Sequence, residues 1–156
     1  MEKQIDKPDW YHVAEVELVY KSKVKNSLRP LIGSSLDIQK IFLQLWQQGK
    51  LELVEEFKVL LLNRANRVIG IMHVASGGIT GTVADIRIIL AAAVKSCAVS
   101  IILAHNHPSG NLKPSRADEE MTAKIRTAAG FLDIKVLDHI ILSSEGYYSF
   151  ADEGIL

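Results

Sequence analysis

Two histidines one residue apart, His105 and His107, stand where an apolar run gives way to a turn in LAHNHPSGNLKPSRADEE, residues 103 to 120. Side chains two apart on a strand share a face, so the two imidazoles can point the same way. Pro108 stops the strand behind them, which leaves the pair near a sheet edge where a cleft can form. Two neutral imidazoles suit zinc, copper or iron and are poor ligands for magnesium or calcium. A catalytic zinc takes three protein ligands and keeps a water in the fourth position. Asp118 is the candidate third ligand, because it begins the helix that follows the loop. A simpler reading stands beside this one. Ser115 and Asp118 fit a helix-capping pattern, with the serine at the N-cap and an acid that offsets the helix dipole. The histidines could equally be hydrogen-bonded imidazoles with no ligand role. Neither of these accounts for the short turn that can fold the helix start back towards the strand end; a metal does.

Hydrolysis at such a site needs a general base that holds the water without itself being a ligand. Glu55 and Glu56 open the run EEFKVLLLN, and either could sit on a strand beside IILAH. Other residues are weaker candidates. Cys97 is the single cysteine and reads as core, since a reactive thiol needs an electropositive, partly open setting. Ser109 is outside any GxSxG elbow, so it is expected to shape the turn and to line the substrate cleft. His139, in LDHIIL, reads as a hydrogen-bonded core residue, with Asp138 as a possible orienting partner and metal approach as the lesser alternative. His73 is weaker again. A zinc deaminase needs a cysteine pair that this chain lacks. SGGITGT has neither the ending of a P-loop nor GxGxxG spacing.

The elements that must position these groups are legible in the hydropathy pattern. HVAEVELVYKSKVK alternates as a strand does, and Lys21, Lys23 and Lys25 on one face read as edge-protecting lysines rather than phosphate contacts. SSLDIQKIFLQLWQQGK reads as a helix capped by Ser34 or Ser35 and ended by Gly49. EEFKVLLLN and RVIGIMHVAS form a hairpin around RAN. VADIRIILAAAVKSC is a helix apolar on most sides, hence well buried. AVSIILAH is a central strand. SRADEEMTAKIRTAAG is a helix stopped by Gly130, and IKVLDHIILSS and GYYSF close the sheet. The order β-α-β-β-α-β-α-β-β predicts a mixed α/β, α+β-type sheet with helices on its faces. With 156 residues, 48% apolar and 23% charged, the chain suits one domain. The 18 basic and 18 acidic residues cancel, which argues against non-specific nucleic-acid binding as its main business while leaving a local basic patch open. No signal peptide or membrane-spanning run is read, so a cytoplasmic protein is expected, with a homodimer through exposed strand edges as a possibility.

The spacing of His105, His107, Ser115 and Asp118, with a glutamate upstream of a strand, is similar to the metal motif of the JAMM/MPN+ metalloproteases, which include zinc deubiquitinases. The surrounding ILAHNHPSGNLKPSRAD and LDHIILSSEGYYSFADEG resemble more closely the RadC family of bacterial proteins, which carry a DNA-repair label. The resemblance implies a single JAB/MPN domain over 12–156 behind a flexible tail over 1–11, in a three-layer arrangement like that of cytidine deaminases. It implies one zinc per chain, held by His105, His107 and Asp118. It implies Glu56 as base, immediately before the Phe-plus-aliphatic strand, with Glu55 one position away. It implies Ser115 as donor to the developing oxyanion, the metal site having first claim on its hydroxyl over the helix cap. The expected activity is that of a zinc-dependent peptidase or isopeptidase on a peptide or protein substrate. The alternatives are a DNA repair or recombination-associated protein, and a non-catalytic scaffold. Longer RadC proteins carry an N-terminal helix-hairpin-helix region; no glycine hairpin signal for it is read here, so binding to nucleic acid is not expected from that source.

Overall fold

A computed structural model describes residues 14, 22–47, 49–77 and 83–156. The two most continuously apolar runs become neighbouring central strands. β1 (Glu56–Leu62) and β3 (Ser100–Asn106) are buried at every position. β2 (Val68–Ser76) is half exposed, as an edge strand should be. β4 (Lys135–Leu142) starts exposed and ends buried, and the short β5 (Tyr147–Ser149) completes the sheet. The strand order is β2-β1-β3-β4-β5. β1 runs antiparallel to both β2 and β3, β3 is parallel to β4, and β5 folds back antiparallel on β4.

Three helices cover the sheet: α1 (Ser35–Leu45), α2 (Ile86–Lys95) and α3 (Arg116–Gly130). The pleat divides the core. Val59, Leu61, Ile101 and Leu103 pack with Ile89 and Ala93 of α2 and Ile125 and Ala129 of α3. Leu60, Leu62, Ile102 and Ile140 face the other way, onto Ile38 and Phe42 of α1 and onto Trp46. The result is one mixed α+β domain in three layers, as the sequence predicts. α3 serves as the crossover that a parallel β3–β4 pair requires. It brings its own N-terminus back beside the end of β3.

Several details differ from the expected elements. The tail over 1–11, most of the first strand and most of SGGITGT lie outside the described residues; residues 22–25 are exposed and not in a strand. α1 ends at Leu45, not Gly49, because Trp46 turns into extended backbone and packs edge-on against Phe42. α2 buries only Ile89 and Ala93 among its residues and leaves Ile88 and Val94 exposed, so it is a surface helix with one apolar stripe. Cys97 is exposed, not core. It takes a left-handed φ of 54° where α2 stops, and the amides of Cys97 and Ala98 close the helix end on the carbonyls of Val94 and Ala93. At the end of α3 the left-handed residue is Asp133, at φ 55°, and Gly130 remains helical.

Asp138 locks β4 to the chain beyond β5. Its buried carboxylate accepts from the His139 and Ala151 amides at 2.7 and 3.0 Å and from the Ser149 hydroxyl at 2.6 Å. It therefore orients the backbone at His139 rather than the imidazole. Burial raises its pKa, against the opposing effect of those hydrogen bonds. Asp138→Ala strands two amides and a hydroxyl; we expect a loss of roughly 2–4 kcal/mol in urea unfolding.

Candidate metal centre

His105 is in the penultimate position of β3, at the end of a central strand rather than at a lateral edge of the sheet. His107 follows just past the strand, its amide donating to the Leu142 carbonyl at 2.9 Å. The chain then turns sharply: Gly110 donates back to the His107 carbonyl at 3.0 Å and takes a φ of +82°. A side chain would be strained there. The turn leads to α3, whose first turn carries Asp118.

These three side chains converge. The Nε2 atoms of His105 and His107 are 2.9 Å apart, and Asp118 oxygens lie 3.3 Å from the first and 3.7 Å from the second. Those distances bracket about 3.3 Å, the edge of a tetrahedron built on about 2.0–2.1 Å bonds. The group could hold a metal ion.

The surrounding hydrogen bonds say which atoms of the ligands face inward. His107 Nδ1 meets the Asn111 carbonyl, which can only accept, so Nδ1 bears a proton and Nε2 is the nitrogen that faces His105 and Asp118. His105 Nδ1 meets Nε2 of buried His139 at 2.8 Å, and His139 Nδ1 meets Thr122 Oγ1 at 2.6 Å. Stacking on Phe57 (interplanar angle 3°) fixes the His105 ring on one side. His139, expected as a hydrogen-bonded core residue, is one. It lies against Phe150 at 4.6 Å between centroids, and burial holds its pKa well below the ordinary value.

The electrostatics agree. Burial would raise the Asp118 pKa, but hydrogen bonds with His105 and His107 win and hold it far below the ordinary carboxylate range. The His107 pKa is raised, first by its hydrogen bond to Asp118 and against the effect of burial. The centre of the cluster therefore stabilises positive charge. A cation held between these groups would be stabilised in the same way.

The structure separates the two glutamates. Phe57 pairs with His105 across β1 and β3, and the side chains on either side of Phe57 point to the opposite face. Glu56, the expected base, is on that opposite face. It is 2% exposed, with Lys58 Nζ at 3.1 Å and Lys50 Nζ at 3.7 Å. The Lys58 ammonium in turn sits 4.1 Å over the Trp46 ring. His73 lies near Glu56 and bonds Ser76, away from the histidine cluster. Glu55 instead lines a cleft of about 140 Å³ together with His105, Asp118 and His139. The remaining walls of that cleft are Phe57, Val83, Ala84, Ala117 and Met121.

Asn106 is a functional neighbour that sequence reasoning missed. Fully buried, it accepts from the Glu56 amide at 2.7 Å and donates to the carbonyls of Leu51 and Val54 at 2.7 and 2.8 Å. It ties the glutamate segment to the strand that carries His105. The visible signal was a polar residue between two histidines at a strand end.

Ser115 lies in the N-cap of α3 and Ser109 in the turn that precedes it. Ser115 caps α3: its hydroxyl accepts from the Asp118 amide at 3.2 Å and donates to Asp118 Oδ2 at 2.7 Å, and its own amide also meets that oxygen. In this structure the helix cap and the Asp118 carboxylate engage this hydroxyl. The same contacts orient the Asp118 carboxylate. Ser109 is exposed, accepts from the Asn111 amide at 3.4 Å, and is not among the residues lining the cleft.

The fold is a three-layer α+β domain with two histidines at a strand end and an aspartate on the next helix, a group that could hold a metal ion. The family model described as RadC-like JAB domain matches residues 32–155, and the chain belongs to that family. It is 50% identical over 101 residues to a UPF0758 protein of Flavobacterium johnsoniae, covering 65% of this chain and 44% of that one. It is 46% identical over 103 residues to a UPF0758 protein of Porphyromonas gingivalis, covering 65% and 45%. It is 36% identical over 147 residues to a UPF0758 protein of Rubrobacter xylanophilus, covering 92% and 62%. The chain thus spans about half the length of the curated relatives it matches. Among the described residues no helix is long and apolar enough to cross a membrane.

Ser115→Ala removes the cap and the donor to Asp118 together. The expected cost is about 1 kcal/mol in thermal or urea unfolding, within the range for N-cap serines. Ser115→Asp, which restores an N-cap acceptor but not the donor, is expected to recover only part of it.

Proposed function

We propose that this domain is a zinc-dependent hydrolase that cleaves amide or isopeptide bonds in peptide or protein substrates. The observation that carries the reading is the convergence of two imidazole Nε2 atoms and a carboxylate beside a cleft that Glu55 also lines. Three donors of this kind, two of them lining a cleft, suit a metal with an open position, and with one cysteine in the chain a closed Cys-rich site cannot be built.

His105, His107 and Asp118 would hold the ion, one per chain. A bound zinc would supply a Lewis acid for the substrate carbonyl and bring a water's pKa near 7. Glu55 is the proposed general base in place of Glu56, whose carboxylate is committed to Lys58 on the other face of the sheet. Glu55 takes the proton of the attacking water and passes it to the leaving amine. Ser115 orients Asp118; it can donate to an oxyanion only by turning its proton away from that carboxylate. The apolar walls Phe57, Val83, Ala84 and Met121 limit bulk water beside the reacting atoms.

The first test is metal content by mass spectrometry, on protein purified without an affinity metal column, followed by a peptide and isopeptide screen. About one zinc per chain is expected, lost in folded His107→Ala and Asp118→Ala variants. Glu55→Gln is expected to keep its zinc and lose roughly 10²–10⁴-fold in turnover. Glu56→Gln is expected to act mainly on stability. A zinc-loaded Glu55→Gln with full activity would sink the assignment of the base. A folded wild type that refuses zinc would sink the hydrolase reading and return Ser115 and Asp118 to helix capping alone.

A further inference from the structure

His139 and Thr122 form a buried hydrogen-bond relay behind His105 that the proposed chemistry does not itself use. Thr122 is four residues after Asp118 on α3, and its hydroxyl lies 2.6 Å from the Asp118 carbonyl. A carbonyl only accepts, so the single hydroxyl proton goes there. The Thr122 oxygen is then free to accept from His139 Nδ1–H at 2.6 Å. A neutral His139 protonated at Nδ1 presents a lone pair at Nε2, which accepts from His105 Nδ1–H at 2.8 Å. A neutral His105 with its proton on Nδ1 keeps its lone pair on Nε2, the atom facing His107 and Asp118. Metal binding at Nε2 forces this direction of the relay, because a metal-bound imidazole keeps its proton on the other nitrogen. Among the described residues the ring nitrogens of His139 meet only His105 and Thr122, so Thr122 is the terminal acceptor on which the chain depends.

We propose that Thr122 is a remote positioning residue for metal affinity, acting through His139 to hold His105 as the Nδ1–H tautomer whose Nε2 can bind the ion. The inference rests on the metal-binding reading above and extends it to two residues that touch no ion. Valine at position 122 matches threonine in shape but has no acceptor. With it, a bound metal would force a buried N–H of His139 to go unpaired. The reverse tautomer, with protons on Nε2 of both His139 and His105, would become the stable one and would block the ligand atom.

The test is zinc affinity of the full chain by competition with a chromophoric chelator, for wild type, Thr122→Val and Thr122→Ser. It is paired with ¹⁵N NMR of the histidine side chains. We expect Thr122→Val to fold and to bind zinc roughly 10–100-fold more weakly, the range seen when partners behind metal ligands are removed. Thr122→Ser is expected to restore most of that loss. The spectra of zinc-loaded wild type should show protonated Nδ1 on both His105 and His139. Metal-free Thr122→Val should show His139 protonated at Nε2. Unchanged affinity in folded Thr122→Val overturns the proposal. So does weakened affinity with His139 still protonated at Nδ1, which would assign the effect to the lost bond with the Asp118 carbonyl. If Thr122→Val fails to fold, Thr122→Ser and Thr122→Ala are compared, and equal affinities overturn the proposal in the same way. A wild type that binds no zinc fails the metal reading itself, and this inference with it.

Discussion

The alternation of side chains along two paired strands is the constraint on which the rest of this site depends. His105 and Asn106 are neighbours on β3 and point to opposite faces of the sheet. On β1 the same alternation separates Phe57 from Glu56 and Lys58. Because Phe57 sits opposite His105, the face that holds the imidazoles also receives Glu55. A slip of one residue would exchange the faces and bring a lysine-bound carboxylate to the metal side. Two features oppose such a slip. Asn106 uses all of its amide on the segment that leads into β1, and the Glu56–Lys58 pair is seated against Trp46.

The ion pair on the far face is an expensive way to mark a register. Removing two charges from water costs several kcal/mol each, and their attraction only offsets that if geometry is good. Here Lys58 meets Glu56 at 3.1 Å and gains the ring of Trp46, while Lys50 adds a second, more exposed cation. An aliphatic pair at the same positions would pack with the leucines of that face in either register. A charged pair is satisfied in only one, which gives a polar cluster in an apolar layer a specific structural role.

Much of this was legible in the sequence, and the misses have physical causes. The five described strands and three helices follow from runs of apolar residues, hairpin signals and caps, and His105, His107 and Asp118 were visible as residue types at the right spacing. Glu55 and Glu56 were not separable, because which one faces the histidines is a property of strand pairing, set forty-odd residues away along the chain. Cys97 looked apolar among alanines and valines, yet the helix ends at Lys95 and the residue takes the left-handed position just beyond its close. Asn106 and Thr122 carry no motif of their own. Thr122 had one available signal, since four residues on a helix place it on the face of Asp118. The competing claims on Ser115 could not be weighed without the positions of two oxygens.

The parallel pairing of β3 with β4 has a kinetic consequence. The three converging side chains lie within a short span, from His105 to Asp118, yet the nitrogen behind His105 comes from β4 and the ring stacked on it from β1. Both contacts are non-local, and the loops that separate them must close before either forms. The segment from His105 to Asp118 therefore lacks these two supports until the sheet has assembled. During synthesis these side chains gain their supports only after the strand carrying His139 has emerged and docked, so an ion bound there would be captured late and would certify the assembled sheet instead of nucleating it.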